Sequence, residues 1–487
     1  MRHSRRKAQR LDREAQLPLP LDQAAFVSGD ALDYGPGTMP SPSIRSLPLL
    51  ALLLVPLAAA AQGPVAPLSL AAPGALPQTT GDAIYAEARP KLLQIRTLLA
   101  AAGQKTSTGS GFLVSADGLA ITNYHVVSDY ALEPGTYRLE YTAVDGSSGP
   151  VQVVALDLAN DLALIRIDRH DQPFFKFDQV AVGGLLPKGE KLYSMGNPLD
   201  LGFTIVDGTY NGLVDRSYTD RIHFSGAINP GMSGGPAVNA QGEIAGINVA
   251  KQMNGELVSF LVPAVYASAL LGRAGAGVTP DPATLKAEIG RQLGVWQAGF
   301  YDAIGKAGFK SAVAGPYQAP ESGAPWFTCW ARTNADVVPK PRFNADSTAC
   351  FSDSRLFIAE GLNTGLVQLS HVYLHSTDLN AAQFSMLLTQ QGHGGMSGQW
   401  PRKWVTRQSC RDDFIEGEKA GDVPVQHVIW CARAYRDFDD LYDISMTLVT
   451  EDQPTEALVT RLTMDGISFD NAMTLSRRFV EAVRWNK

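Results

Sequence analysis

GSGFLVSADGLAITNYHVV, residues Gly109 to Val127, reads as two short strands joined by a tight turn. GSGFLVS and LAITNYHVV are dense in apolar and β-branched side chains, and Ala-Asp-Gly between them is turn chemistry. His125 stands at the far end of the second run. The same pattern continues to about Val262. VQVVAL, DLALIRI, KLYSMG, IHFSGAI, PAVNA and EIAGINVAK are short apolar runs punctuated by Gly, Asn and Asp. Many short strands separated by turn residues predict an all-β barrel or sandwich.

Within this β-rich stretch, INPGMSGGPAVN (Ile228 to Asn239) crowds glycines around one serine. A serine hydroxyl is a poor nucleophile until a base removes its proton. It also needs donors for the oxygen that becomes negative during acyl transfer. In Gly231-Met232-Ser233-Gly234-Gly235 the glycines permit a tight turn and close approach. The amides of Gly231 and Ser233 can then face one small hollow, an oxyanion hole. His125 is the candidate base, since imidazole accepts and returns a proton near neutral pH. Asp161, just before the strand LALIRI, is the candidate carboxylate to orient it. Asp157, four positions earlier, reads as a strand terminator. The chain order His, Asp, Ser is one of those on which this triad occurs.

Four blocks then stand in order: GSGFLVSADGLAITNYHVV, NDLALIRI, YSMGNPLDLGFTIVDGTYNGL and NPGMSGGPAVNAQGEIAGINVA, with VSFLVPA before a closing helix. Together they resemble the HtrA/Deg-type branch of the trypsin-like serine proteases, over roughly Asp82 to Ala274. The resemblance implies a mainly β fold of two six-stranded antiparallel barrels with the site in the cleft between them. It implies a serine endopeptidase without a cofactor, cleaving misfolded or partly unfolded proteins. Ser233 would be the nucleophile, His125 the general base and then acid, and Asp161 its orienting partner. Gly231 and Ser233 amides would form the oxyanion hole.

Two residues depart from the branch. Met232 stands where it commonly has Asn and where digestive enzymes have Asp, so activation by an internal salt bridge is excluded. Without a side-chain anchor the loop is expected to collapse at rest. Tyr124 replaces a common Asn beside the histidine. Ala227, six residues before Ser233, with Ile228 and Ile247, predicts an uncharged pocket for small or medium aliphatic side chains at the cleaved residue. A rival reading is a catalytically silent, protease-derived protein that binds or senses peptides.

The rest of the sequence sets the context. A hydrophobic content of 45% with 18% charged residues fits a globular protein, and a net charge of -7 with no basic block beyond the extreme N-terminus argues against nucleic acid as the main partner. Arg45 is the only charge between Asp33 and Asp82, and an apolar run from Leu47 ends in Ala59-Ala60-Ala61. This predicts a signal peptide at 39–61, cleaved after Ala61, and a periplasmic or secreted protein. A membrane would be a partner only if that segment stays uncleaved; the expected partners are protein or peptide substrates. Residues 1–38 read as an upstream extension, 62–81 as a flexible linker, 82–274 as the protease domain and 275–487 as an α+β C-terminal domain. All seven tryptophans fall in this last part, as do all four cysteines. Export makes disulfides their fate, and the equal spacing of 21 positions favours Cys329–Cys350 and Cys410–Cys431. No metal site is expected: His371 and His375 on one strand would lie too far apart to share an ion. GHGGMSG at Gly392–Gly398 reads as a loop despite repeating GMSG.

Overall fold

A computed structural model describes residues 80–251, 258–273, 280–352, 354–392, 396, 402–416 and 423–486. The signal segment at 39–61 and most of the GHGGMSG stretch lie outside the described residues. The described chain opens with helix α1 (Thr80–Ala88), ended by a short 3-10 turn at Arg89–Lys91 that carries Pro90. Six strands follow: β1 (Leu92–Leu99), β2 (Lys105–Leu113), β3 (Leu119–Thr122), β4 (Tyr137–Ala143), β5 (Ser148–Asp157) and β6 (Leu162–Ile167). They close into an antiparallel barrel in the order β1-β2-β3-β6-β5-β4. A second barrel holds β7 (Lys191–Gly196), β8 (Thr204–Leu213), β9 (Ile222–Phe224), β10 (Pro236–Val238), β11 (Ile244–Lys251) and β12 (Ser259–Pro263). Read from β7, its order is β7-β8-β9-β12-β11-β10, the topology of the first barrel again. Closure removes sheet edges and leaves loops at the junction to carry chemistry.

Helix α2 (Tyr124–Leu132) leaves the first barrel directly after β3. LAITNYHVV is therefore not one strand. β3 stops at Thr122, and His125 sits in the first turn of a helix. The reason is where the apolar residues point. Tyr124, Val126, Val127, Ala131 and Leu132 are all buried, a spread that a half-buried strand of period two would not bury together. Helices α3 (Gln179–Val182) and α4 (Ala264–Gly272) pack beside the second barrel.

The remaining chain begins with α5 (Leu285–Ala307), whose buried residues Leu285, Ile289, Leu293, Trp296, Phe300 and Ile304 recur at helical spacing. β13 (Phe309–Ala314) and β14 (Tyr317–Ser322) form a small sheet with β24 (Arg484–Trp485). A seven-stranded antiparallel sheet is built from β15 (Phe327–Thr333), β16 (Phe343–Ser352), β19 (Val367–Ser376), β20 (Ser409–Ile415), β21 (Gln426–Ala434), β22 (Tyr442–Thr450) and β23 (Glu456–Ile467). Its order is β15-β16-β19-β23-β22-β21-β20. Between β16 and β19 the chain makes a separate hairpin of β17 (Leu356–Ala359) and β18 (Leu362–Thr364). Helix α6 (Ala381–Gln391) opens with a capping box at Asn380 and Gln383, and α7 (Phe469–Ala482) precedes β24. The fold is thus mainly β: two barrels followed by an α+β region.

That region is not a separate globule. Leu93 and Ile165 of the first barrel and Tyr124 and Val127 of α2 share one apolar core with Leu293, Phe300, Ile358 and Leu462. Tyr218, in the loop after β8, sits among Trp296, Phe300 and Trp326 at centroid distances of 5.9, 4.8 and 5.3 Å. Gln292 of α5 donates to the Leu156 carbonyl (2.8 Å) and accepts from the Leu158 amide (2.9 Å), completing the backbone pairing at the end of β5.

Candidate active site

The histidine is held at a helix start. The Asp161 main-chain carbonyl accepts from the Tyr124 amide (3.1 Å) and from Asn123 Nδ2 (2.7 Å). Its side chain accepts the His125 amide at Oδ1 (2.9 Å). Asp161 thereby caps α2 from another segment of the chain, satisfying amides that a helix start leaves unpaired. It does so at φ 57°, a left-handed conformation that aspartate tolerates better than most residues. The other carboxylate oxygen, Oδ2, receives Nδ1–H of the His125 ring at 2.6 Å. With Nδ1 protonated by this bond, Nε2 is the basic nitrogen. Burial disfavours the imidazolium, but the Asp161 charge and hydrogen bond outweigh it, and the ring's pKa is raised. Asp157 is engaged elsewhere, by Arg273 at 2.8 Å and Asn160 at 3.2 Å.

The serine turn abuts this helix start. A methyl group on Gly234, at φ 84°, would meet the Ser110 carbonyl at 2.3 Å and the Asn123 amide at 2.8 Å. Gly231, at φ 94°, approaches the Asn197 carbonyl so closely that a Cβ would meet it at 2.5 Å. Both positions require glycine for conformation and for space. The carbonyls of Pro230, Gly231, Met232 and Ser233 are all engaged. Pro230 O accepts from Leu199 N–H (3.0 Å), Gly231 O from Ser110 Oγ (2.7 Å) and Ser233 O from Ser110 N–H (2.8 Å). Met232 O accepts from Gly235 N–H (3.0 Å) and Asn248 Nδ2 (3.2 Å). The amides of Gly231 and Ser233, by contrast, donate to no described residue. A trans peptide sets N–H opposite C=O, so the Gly231 amide points away from Leu199.

Met232 corrects the expectation of an unanchored loop. Its side chain is fully buried in the core of the second barrel. Apolar burial, with Ser110 and Asn248, does the anchoring that a polar side chain would do at this position. The Ser233 hydroxyl donates to the Val249 carbonyl at 3.3 Å and makes no hydrogen bond to His125 among the described residues.

Of the three pocket candidates, Ile228 and Ile247 are enclosed in the second barrel's core, and only Ala227 keeps appreciable surface. The cysteines pair as Cys329–Cys350 and Cys410–Cys431. His371 and His375 lie on strand β19. His371 Nε2 is bonded to the Pro320 carbonyl (2.8 Å), and His375 Nε2 to Asn344 Nδ2 (3.2 Å). No cluster of potential metal ligands occurs among the described residues.

Sequence reasoning overlooked Ser110 and Asn248. Ser110 sits in the GSG that opens the first quoted block, and a small polar residue between two glycines was the available signal. Asn248 is buried and accepts from Ser194 Oγ (2.8 Å) while donating to Met195 O (2.9 Å); nothing in its local sequence marks it. Tyr124 stands out in the sequence only as a departure from the branch. It is fully buried, and its hydroxyl donates to the Ile358 carbonyl at 2.8 Å.

Residues 109–247 match the family model of the trypsin-like peptidase domain. A putative serine protease HhoB of Synechocystis is 34% identical over 33% of this chain and 38% of that protein. A probable periplasmic serine endoprotease, DegP-like, of Chlamydia pneumoniae is 34% identical over 34% of this chain and 33% of its own length. Human serine protease HTRA3 is 36% identical over 32% of this chain and 36% of its own. The matches thus span about a third of these relatives. The solved serine endoprotease from Yersinia pestis aligns at 24% identity over 41% of this chain and 67% of that one, with a TM-score of 0.35. The two barrels themselves, with their shared strand order, define the fold.

Proposed function

We propose that this chain, which carries a trypsin-like peptidase domain resembling the HtrA and DegP proteases, is an exported serine endopeptidase. The observation that carries the reading is the His125 ring, fixed to Asp161 at 2.6 Å beside a serine turn whose Gly231 and Ser233 amides are unspent. Attack begins with a rotation of the Ser233 hydroxyl about its Cα–Cβ bond, away from the Val249 carbonyl. That contact is long and its acceptor neutral, so it costs little to leave. His125 Nε2 takes the hydroxyl proton as Oγ bonds to the substrate carbonyl carbon. The carbonyl oxygen becomes negative and is met by the two amides, already oriented by the engaged carbonyls around them. Asp161 stabilises the imidazolium. The proton then passes from Nε2 to the departing amine, and water activated by His125 releases the acyl group from Ser233.

The substrates proposed are misfolded or partly unfolded proteins, cleaved after small or medium aliphatic residues. Ala227 supports an uncharged pocket, and several relatives bear the name periplasmic serine endoprotease, which supports a periplasmic or secreted site of action. A fluorophosphonate probe tests the reading. The folded chain should be labelled at Ser233, and Ser233→Ala should abolish labelling. A folded wild-type chain that never reacts, with or without added unfolded protein, would refute it.

A further inference from the structure

The hairpin β17–β18 reaches the candidate histidine from the far end of the sequence. Tyr124 and Ile358 are 234 positions apart, yet the tyrosine hydroxyl donates to the Ile358 carbonyl at 2.8 Å. Leu356, Ile358, Ala359 and Leu362 are buried in the same core as Tyr124, Val126 and Val127. Phe357 alternates with Leu356 and Ile358 and is half-buried. Its ring meets that of Tyr124 at 6.2 Å and that of His125 at 6.0 Å, both edge to face. The hairpin is fixed from behind as well. Thr364 Oγ1 donates to the Asp465 carbonyl at 2.9 Å, and Gly365 N–H to the same oxygen at 3.2 Å. Gly365 lies so close to Trp296 that a Cβ would meet its ring at 2.3 Å. Phe357 is therefore delivered to His125 by a braced element rather than by a loose loop.

A single hydrogen bond at Nδ1 fixes the distance of an imidazole from its partner but leaves the ring free to tilt or swing about its side-chain torsions. A second, rigid contact removes that freedom. We propose that Phe357 is a positioning residue for His125, holding the ring so that Nδ1 stays on Asp161 and Nε2 stays on the serine side. The His125 side chain keeps 28% of its surface exposed, so without Phe357 it has solvent to swing into. Asp161 is the group whose charge acts on the ring; Arg221 lies beyond it, against the Ala159 carbonyl at 3.5 Å. The hairpin adds an apolar wall and no charge at this point. The inference rests on the proposed role of His125 as the base, and it makes that role depend on the C-terminal region.

The test uses the full chain with Phe357→Ala and, as the conservative variant, Phe357→Leu. Two readouts are taken on each folded protein: the rate of fluorophosphonate labelling, and the His125 ring by NMR. Displacing a reacting group by about 1 Å costs on the order of 100-fold in rate, so Phe357→Ala should label about 10- to 100-fold more slowly. Phe357→Leu should recover part of that loss. In the alanine variant the strongly deshielded Nδ1 proton should broaden or vanish, and the ring's titration midpoint should fall towards that of a free histidine. Purely structural damage would leave the ring signal intact in molecules that remain folded. Unchanged labelling, an unchanged Nδ1 proton and an unchanged midpoint in either variant would overturn the inference. If the wild type is inert to the probe while its Nδ1 proton is present and is lost in Phe357→Ala, the proposed function fails and the positioning role stands.

Discussion

A histidine that takes a proton from serine must be neutral when attack begins. In His125, burial opposes the charged form, while the Asp161 charge and hydrogen bond favour it more strongly. The raised pKa sets the sign of the pH dependence. Activity should fall as pH drops through a midpoint above the ordinary value of about 6.5. Asp161→Asn should lower that midpoint and reduce kcat by roughly 10⁴-fold, since the ring then loses its correct tautomer. A pH–rate series on both proteins checks this; coincident acid limbs would contradict it. Ser110 carries a second prediction. Its hydroxyl bonds the Gly231 carbonyl and receives the Asn197 amide at 2.9 Å. Ser110→Ala frees that peptide to turn, and kcat should fall about tenfold with little change in KM, the loss of about one hydrogen bond's worth of transition-state support. Equal losses in Tm and labelling with no kcat effect on folded protein would count against it.

Among elements, the hairpins and caps were unequally legible. The apolar strands β3, β6, β7 and β19 announce themselves because one or both of their faces are buried. β15 and β20 do not, because almost every side chain they carry is exposed and no apolar alternation results. The α2 start reads as a strand because β-branched residues populate the buried face of that helix, so local propensity points to a strand while packing chooses a helix. The serine turn was legible, because glycine is forced by space at Gly231 and Gly234. The Asp161 cap and the β17–β18 contact were not, since both join residues distant in the chain with no local mark.

Strands β22 and β23 carry a pH effect of their own. Asp443 is buried, holding Arg433 Nε (2.8 Å) and the Tyr435 hydroxyl (2.8 Å). Beside it Asp465 is pushed up to about 8, first by burial and then by the Asp443 charge, against Arg433 and Arg355. In the unfolded chain Asp465 releases its proton near an ordinary pKa of about 4. Between these values the native state binds more protons than the unfolded state, so stability falls as pH rises. Calorimetry should show Tm dropping from about pH 5 to pH 8, by up to about 1.4 kcal/mol per pH unit in free energy. Asp465→Asn should flatten the slope; an identical slope would argue against this carboxyl as its source.

At the scale of the whole molecule, the first barrel and the α+β region bury each other. Tryptophans and cysteines begin only beyond residue 275, a break in composition along the chain. Composition says nothing of how two regions pack, and here the rings around Tyr218 and the residues around Tyr124 form a common interior. A chain ending at Gly272 would expose Tyr124, Val127 and Tyr218 together. Such a truncation should bind hydrophobic dyes and aggregate, unlike the full chain; a monomeric, dye-silent truncation would disprove the mutual dependence.

The two disulfides have a shared address in the seven-stranded sheet. Cys329 and Cys350 are directly opposed on β15 and β16, and Cys410 and Cys431 on β20 and β21. β15 and β20 are the two outermost strands, so each bond rivets a border strand to its inner neighbour. Each closes a chain segment of 21 positions, worth about 3 kcal/mol in the loop-entropy account. The rivets also act against unwanted company. A border strand that peels away uncovers an inner strand with open amides and carbonyls, a template for another copy of the chain. Reductant should therefore do more than soften the protein: light scattering should rise as molecules join border to border, at temperatures where the barrels are still folded. The same two bonds that hold the sheet's borders in place thereby act as its guard against self-association.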